Sequence, residues 1–268
     1  MNRTNHPQKL WIGLAVLLAG LNLIPLLWMF LLAASRVHVE TGALQLDLAG
    51  FRRLFTTLPA VRWALNSFLV SVAITAGNLL FCSMAGYAFA KKQAPGLRAL
   101  FWLCLATMMV PAQVTVIPLF LMMSGLGLAN TYTALIAPTL ATAFGVFLMR
   151  QFISTLPTSL FEAARLDGCS EWQTFTLIVL PLVRPALAVL GIFAFTSSWN
   201  DFLWPLVICN RRDMWTLPVG LASLQQEFNV DTSLLMAGAA FAAIPMIVLF
   251  FALQKHFLSG LTVGAVKG

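Results

Sequence analysis

Apolar and polar positions in this chain do not alternate with the short period of a soluble domain. They fall instead into long uncharged runs separated by short polar intervals. Leu10 to Ala34 carries no charge and exceeds the roughly 20 residues that a helix needs to cross a bilayer, so it predicts a first spanning helix. A cleaved signal sequence would have an apolar core of only roughly 7 to 15 residues. The second run, about Asn66 to Ala90, stops at Lys91-Lys92, with Pro95-Gly96 as a turn. No charged residue occurs between Ala99 and Met149, a length of about two bilayer crossings, so two spans must share it. They are predicted at about Ala99 to Met123 and Tyr132 to Met149, joined by a hairpin over Ser124 to Asn130 and closed by Arg150. A fifth span is predicted from Arg184-Pro185 to about Cys209, interrupted only by Asn200-Asp201, and a sixth from Thr232 to Gln254. The pattern predicts an all-α membrane protein with six transmembrane helices in a single domain over residues 1–268.

Two intervals have structure of their own. In the loop from Arg36 to Arg62, Leu54 and Phe55 stand beside Arg52 and Arg53 and predict an amphipathic segment at the membrane interface. Within the interval of about 152–184, Ser159 and Glu162 have the spacing of a capping box, Gly168 supplies a left-handed terminator, and Ser170 with Gln173 repeats the capping pattern. This predicts helix, glycine turn, helix. The first helix shows Leu160, Phe161, Ala163, Ala164 and Leu166, too apolar for a plain solvated face, so something is expected to pack on it.

Charge placement predicts the orientation. With both termini cytoplasmic, that side collects Arg3, Lys9, Lys91, Lys92, Arg98, Arg150, Arg165, Arg184, Lys255 and Lys267 of the 16 Lys and Arg residues. The Ser159 to Pro181 segment then also faces the cytoplasm. Composition agrees with membrane residence: 60% of the 268 residues are hydrophobic and 9% are charged, against roughly 25% charged in soluble domains. The formal charge of +7 is spread between apolar runs, without the basic clusters and interleaved aromatics of a nucleic-acid-binding surface. Cys82, Cys104, Cys169 and Cys209 lack metal or redox spacing and read as small core residues. Neither a metal site nor a catalytic residue is expected, since His6, His38 and His256 lie near or beyond span ends.

Glu162-Ala163-Ala164, three residues, Gly168, nine residues, Ile178, one residue, and Leu180-Pro181 together resemble the cytoplasmic loop signature of ABC-importer permease subunits. Nearly the whole chain is similar to the carbohydrate branch of that family, particularly the second permease subunit of maltose-type systems. The resemblance implies that Glu162, Ala163, Ala164, Asp167 and Gly168 couple the chain to a cytoplasmic ATPase. It also implies that the end of the chain, about 255–268, reaches between two ATPase subunits through Gly264, Val266 and Lys267. In that tail Gly264-Ala265 stands where the family has two glycines. The implied partners are a homologous permease forming a heterodimer, two ATPase subunits, an extracytoplasmic solute-binding protein and the lipid bilayer of the inner membrane. No phosphate-binding loop of the Gly-x4-Gly-Lys-Ser/Thr kind occurs, so no cofactor is expected in this chain, and ATP with magnesium would sit on the partner ATPases.

Several residues keep two readings. Glu162 completes a capping box whatever the loop does, or docks into the ATPase. Asp201 is either an interfacial aspartate between Trp199 and Trp204, or, as the similarity of the Trp199 to Leu206 run to sugar permeases implies, lies with Asn200 on the pathway or a subunit contact. Pro25, Pro111, Pro118, Pro138, Pro205 and Pro245 suit a transport path and ordinary kinked packing equally. The alternative function is a secondary transporter or channel acting alone, which predicts buried ionisable pairs, whereas only Asp201 interrupts the runs. The solute stays open among oligosaccharide, monosaccharide, polyol and glycerol phosphate.

Overall fold

The computed structural model describes residues 6–37, 44–224 and 231–265, with side chains described over 11–35, 45–224 and 231–252. Three helices are each long and apolar enough to cross a bilayer, over Trp11–Ala33, Ala60–Lys91 and Thr232–Ala252. Three further pairs qualify only when a bent pair is taken as one span, so length and composition allow between three and six crossings among the described residues. The chain divides into two compact units, one of residues 1–61 with 220–244 and the other of 62–219 with 245–265 among the described residues.

In the first unit, α1 (His6–Ala33) runs through Pro25 and is followed by β1 (Ser35–Val37) and β2 (Leu44–Leu46), an antiparallel pair with Ser35 opposite Leu46. This hairpin is the one departure from an all-helical chain among the described residues. Helix α2 (Ala49–Thr56) follows where the amphipathic segment was expected; Leu54 is fully buried while Arg52 and Arg53 are exposed. Arg53 forms an ion pair with Asp231, and Phe55 meets Phe241 edge-on with ring centroids 5.2 Å apart.

The second unit holds most of the chemistry. Helix α3 (Ala60–Gly77) continues through a π-helical turn (Asn78–Cys82) into α4 (Ser83–Lys91), so this helix begins nearly two turns earlier than the charge pattern predicted. Arg62 can lie inside that first turn because its guanidinium reaches Asp213, whose carboxyl Arg211 holds below the usual carboxylate range. The third span is not the continuous helix expected. Helix α5 (Leu97–Thr107) and α6 (Ala112–Gly125) meet at 101°, because Pro111 lacks an N–H and disfavours helical geometry in Val110. The predicted hairpin is present, with Gly127 at φ 71° and Asn130 at φ 60°. Asn130 accepts through its side chain from the backbone N–H groups of Asn210 and Arg211, which fixes this turn against a loop 80 residues away.

Helix α7 (Tyr132–Ile136) and a 3₁₀ turn (Ala137–Thr139) bend by 42° into α8 (Ala143–Ser154). After α9 (Thr158–Leu166) come α10 (Glu171–Gln173), a π-helical stretch (Thr174–Val179) and α11 (Leu180–Leu182). The wide turns lie immediately before Pro181, which has no N–H to return and whose ring would crowd a regular helix. At 81° to this segment runs α12 (Arg184–Trp199), and α13 (Leu203–Ile208), α14 (Leu217–Ser223) and α15 (Thr232–Ala265) complete the order.

The core between α4 and α8 depends on small residues. A Cβ on Gly86 would lie 2.7 Å from Met149 Cβ and 2.8 Å from the Arg150 nitrogen, and one on Gly145 would lie 2.7 Å from Cys82 Sγ. Close approach of this kind is how membrane helices associate when apolar burial gives them little net preference over lipid. Around it are buried Tyr87, Ile153, Phe161, Phe175, Val179 and Leu190, which join α4 and α8 to the segment after α8.

Candidate functional site

The segment from Pro157 to Leu182 is set by two local devices. Helix α9 starts at Thr158 with Pro157 as its N-cap, φ −59° and ψ 137°, and no side chain caps it. The Ser159–Glu162 capping box is therefore not formed. Pro157 supplies the extended entry two residues early, so Ser159 already lies in the first turn. The other end follows expectation: Gly168 has φ 74°, its N–H reaches the Arg165 carbonyl at 3.1 Å, and the Cys169 N–H reaches that of Ala164 at 2.9 Å. Those two bonds make a Schellman motif, which uses the carbonyls the helix leaves unpaired. The second capping box is complete, with the Ser170 N–H 2.8 Å from Gln173 Oε1 and the Gln173 N–H 3.2 Å from Ser170 Oγ.

Helix α9 is seated on one face only. Phe161 and Ala164 are buried, and the Tyr87 ring lies 6.1 Å from Phe161 and 5.8 Å from Phe175. Tyr87 donates its hydroxyl to Glu171 Oε2 at 2.8 Å, Glu171 also pairs with Lys92, and Lys91 donates to the Leu156 carbonyl at 2.7 Å while lying over Phe161. The end of α4 thus grips both helices of the segment. The opposite face, spaced at i, i+3, i+4 and i+7, is Ser159, Glu162, Ala163 and Leu166, all exposed, with Leu166 at 89%.

A second feature lies between α3, α8 and α12, where a cavity of about 240 Å³ is lined by Asn78, Thr142, Phe144, Phe193, Ser198 and Asp201 among others. Asn78 is buried and satisfied on both sides. Its amide donates to the carbonyls of Ile74 and Thr139 at 3.0 and 2.7 Å, and its oxygen accepts from Thr142 at 2.8 Å. Thr142 in turn caps α8 by accepting from the Gly145 N–H at 3.2 Å. Helix α12 ends at Trp199, so Asp201 sits in the break before α13, where Oδ1 accepts from the Trp204 N–H at 3.4 Å. Phe144 and Phe193 meet edge-on at 5.5 Å.

Residues 79–263 match the sequence profile of the binding-protein-dependent transport system inner membrane components, about two thirds of the chain. The chain belongs to this family. It is an inner-membrane permease subunit of the ABC-importer type. The permease is 44% identical over 206 residues to the arabinooligosaccharides transport system permease protein AraQ of Halalkalibacterium halodurans, covering 77% of this chain and 74% of that one. It is 32% identical to the lactose transport system permease protein LacG of Rhizobium radiobacter, over 99% and 98% of the two chains. It is 36% identical to the sn-glycerol-3-phosphate transport system permease protein UgpE of Yersinia pestis, over 74% and 71%. Its fold matches a chain of a bacterial ABC transporter that imports the acidic polysaccharide alginate, with a TM-score of 0.84, 24% identity, and 96% and 100% coverage.

Against this background the expected residues of the permease divide. Glu162 and Ala163 share the open face of α9, Asp167 and Gly168 form its exposed end, and Ala164 belongs to the buried seat. Asp201 lines the cavity, whereas Asn200 does not and instead donates back to the Thr196 carbonyl at 2.9 Å. Gly264 falls within α15, while Val266 and Lys267 lie outside the described residues. Sequence reasoning missed Tyr87, Glu171 and Lys92 as the grip on the segment. Lys92 was visible only as a stop signal, and a tyrosine in an apolar run gave no sign of a partner 84 residues away. Asn78 carried a signal that went unused, a carboxamide in the middle of an uncharged span.

Proposed function

We propose that this permease forms half of a carbohydrate pathway, working with a homologous permease subunit, two cytoplasmic ATPase subunits that bind ATP and magnesium, and an extracytoplasmic binding protein. The observation that carries the proposal is the one-sided seating of α9. Its inner face is fixed to α4 by Tyr87, and its outer face offers Glu162, Ala163 and Leu166 to a docking partner. Force applied to that face by an ATPase passes through Phe161 and Phe175 into α4 and α8, and through Val183 into α12. In this reading the chain crosses six times with both termini cytoplasmic, each bent pair counting once, and its C-terminal segment contacts the ATPases. The solute class is supported by relatives named for arabinooligosaccharides and lactose. The cavity chemistry also supports it: hydroxyls from Ser197 and Ser198, the Asp201 carboxylate and two aromatic rings suit a neutral polyhydroxylated ligand.

The test is reconstitution with the cognate ATPase and binding protein, with a solute panel run against hydrolysis. Sugar-stimulated hydrolysis that depends on the ATPase is expected. Transport by the isolated chain without an ATPase would favour the stand-alone transporter instead.

A further inference from the structure

Where α5 begins beside the ends of α4 and α8, a cavity of about 560 Å³ is lined by the cations Lys92, Arg98 and Arg150 and by the apolar Leu97, Phe101, Trp102 and Leu105, among others. We infer that this cavity is a binding site for the headgroup of an anionic phospholipid. Three cations converge, and only Lys92 has an acidic partner, Glu171; among the described residues neither Arg98 nor Arg150 forms an ion pair. Arg150 is held in place rather than free to wander: its guanidinium lies 4.1 Å from the Phe101 ring centroid, and Nε reaches the Phe89 carbonyl at 3.4 Å. A guanidinium so placed still has donors for phosphate oxygens, for which its planar fork is well shaped.

The apolar wall decides between a lipid and a free anion. Trp102 is 60% exposed and lies four residues beyond Arg98 and three before Leu105, so one face of α5 forms a strip that runs from the guanidinium into apolar side chains with no further charge. A soluble phosphate or nucleotide gains nothing from that strip. An acyl chain gains burial along it, while the headgroup sits where Lys91-Lys92 and Arg98 mark the end of the spans. Trp102 at this depth also matches the usual place of tryptophan in the interfacial belt.

The test uses the full-length chain in phosphatidylcholine vesicles containing either brominated phosphatidylglycerol or brominated phosphatidylcholine at equal mole fraction. Quenching attributable to Trp102 is isolated by difference from Trp102→Phe. Preferential quenching by phosphatidylglycerol is expected, falling about five-fold in Arg98→Gln and further in Arg98→Gln/Arg150→Gln. Arg98→Lys should retain most of the preference. Arg98 is exposed and forms no ion pair among the described residues, so its substitution leaves the fold intact. Equal quenching by the two lipids, or a preference unchanged in the double variant, would overturn the inference. Displacement of the lipid by millimolar inorganic phosphate would also overturn it, by making the site one for a free anion.

Discussion

Gly168 allows the coupling proposal to be tested with the steric and conformational contributions separated. Its φ of 74° lies in the left-handed region, yet a Cβ built on it would meet nothing within 4 Å. A Cβ there costs backbone strain alone, with no clash of its own to confuse the result. A β-branched residue is the worst tolerated in that region, and holding a residue in such a conformation costs about 1 to 3 kcal/mol. That strain can be relieved only by undoing the Schellman bonds to Arg165 and Ala164, which lets the end of α9 swing away from its seat. If docking requires the seated form, 1 to 3 kcal/mol corresponds to about a 5- to 150-fold loss of the competent population. Gly168→Val should therefore insert normally but lose ATPase co-purification and solute-stimulated hydrolysis in reconstituted vesicles by a factor in that range. Gly168→Asn, which adopts left-handed geometry readily, should lie close to wild type. If asparagine proves as damaging as valine, or valine is silent, the turn geometry is not what the partner reads.

Other substitutions probe the remaining contacts. Glu162→Gln leaves α9 intact, because Glu162 caps nothing, so any reduction in ATPase co-purification reports on docking; an effect on the thermal stability of the isolated subunit would contradict this. Tyr87→Phe keeps the stacking on Phe161 but deletes the bond to Glu171, and should lower the thermal midpoint by an amount equivalent to about 0.5 to 1.5 kcal/mol while weakening coupling. Asp201→Asn should retain most solute transport and Asp201→Leu should lose it, measured as uptake into vesicles, because asparagine can still accept from the Trp204 N–H and keep the cavity polar. Gly86→Ala should cost about 1 to 3 kcal/mol by forcing α4 from α8, whereas Gly125→Ala, with open space around its Cβ, should be neutral in the same detergent melting assay.

The spans were legible because charge is costly in a bilayer, so its absence over long stretches and its return at Lys91-Lys92, Arg150 and Arg184 mark where helices begin and end. The breaks within them were not. Pro111 and Pro118 are the same residue type in the same run, yet the chain turns by 101° at the first and α6 passes through the second. Residue type and local run alone do not say which of the two breaks the helix. The same limit applies at Pro157, whose fixed φ moved the start of α9 and undid a capping box that local spacing supported. Gly168 and the Ser170–Gln173 box were readable because their partners lie within a few residues. The grip of Tyr87 on Glu171 was not, for the opposite reason.

Asn78 serves two structures at once, and this constrains how the protein can change. The same carboxamide that walls the cavity holds Thr139 and Thr142 on either side of the 42° bend between α7 and α8. Any replacement that enlarges the chamber at Asn78 or Thr142 also loosens the joint beside it. New solute preferences can therefore arise with less mechanical damage from the part of the wall outside that hydrogen-bonded joint, such as Phe144, Phe193 and Ser197. In a library randomised at all lining positions, survivors should be variable along that wall and nearly invariant at the joint.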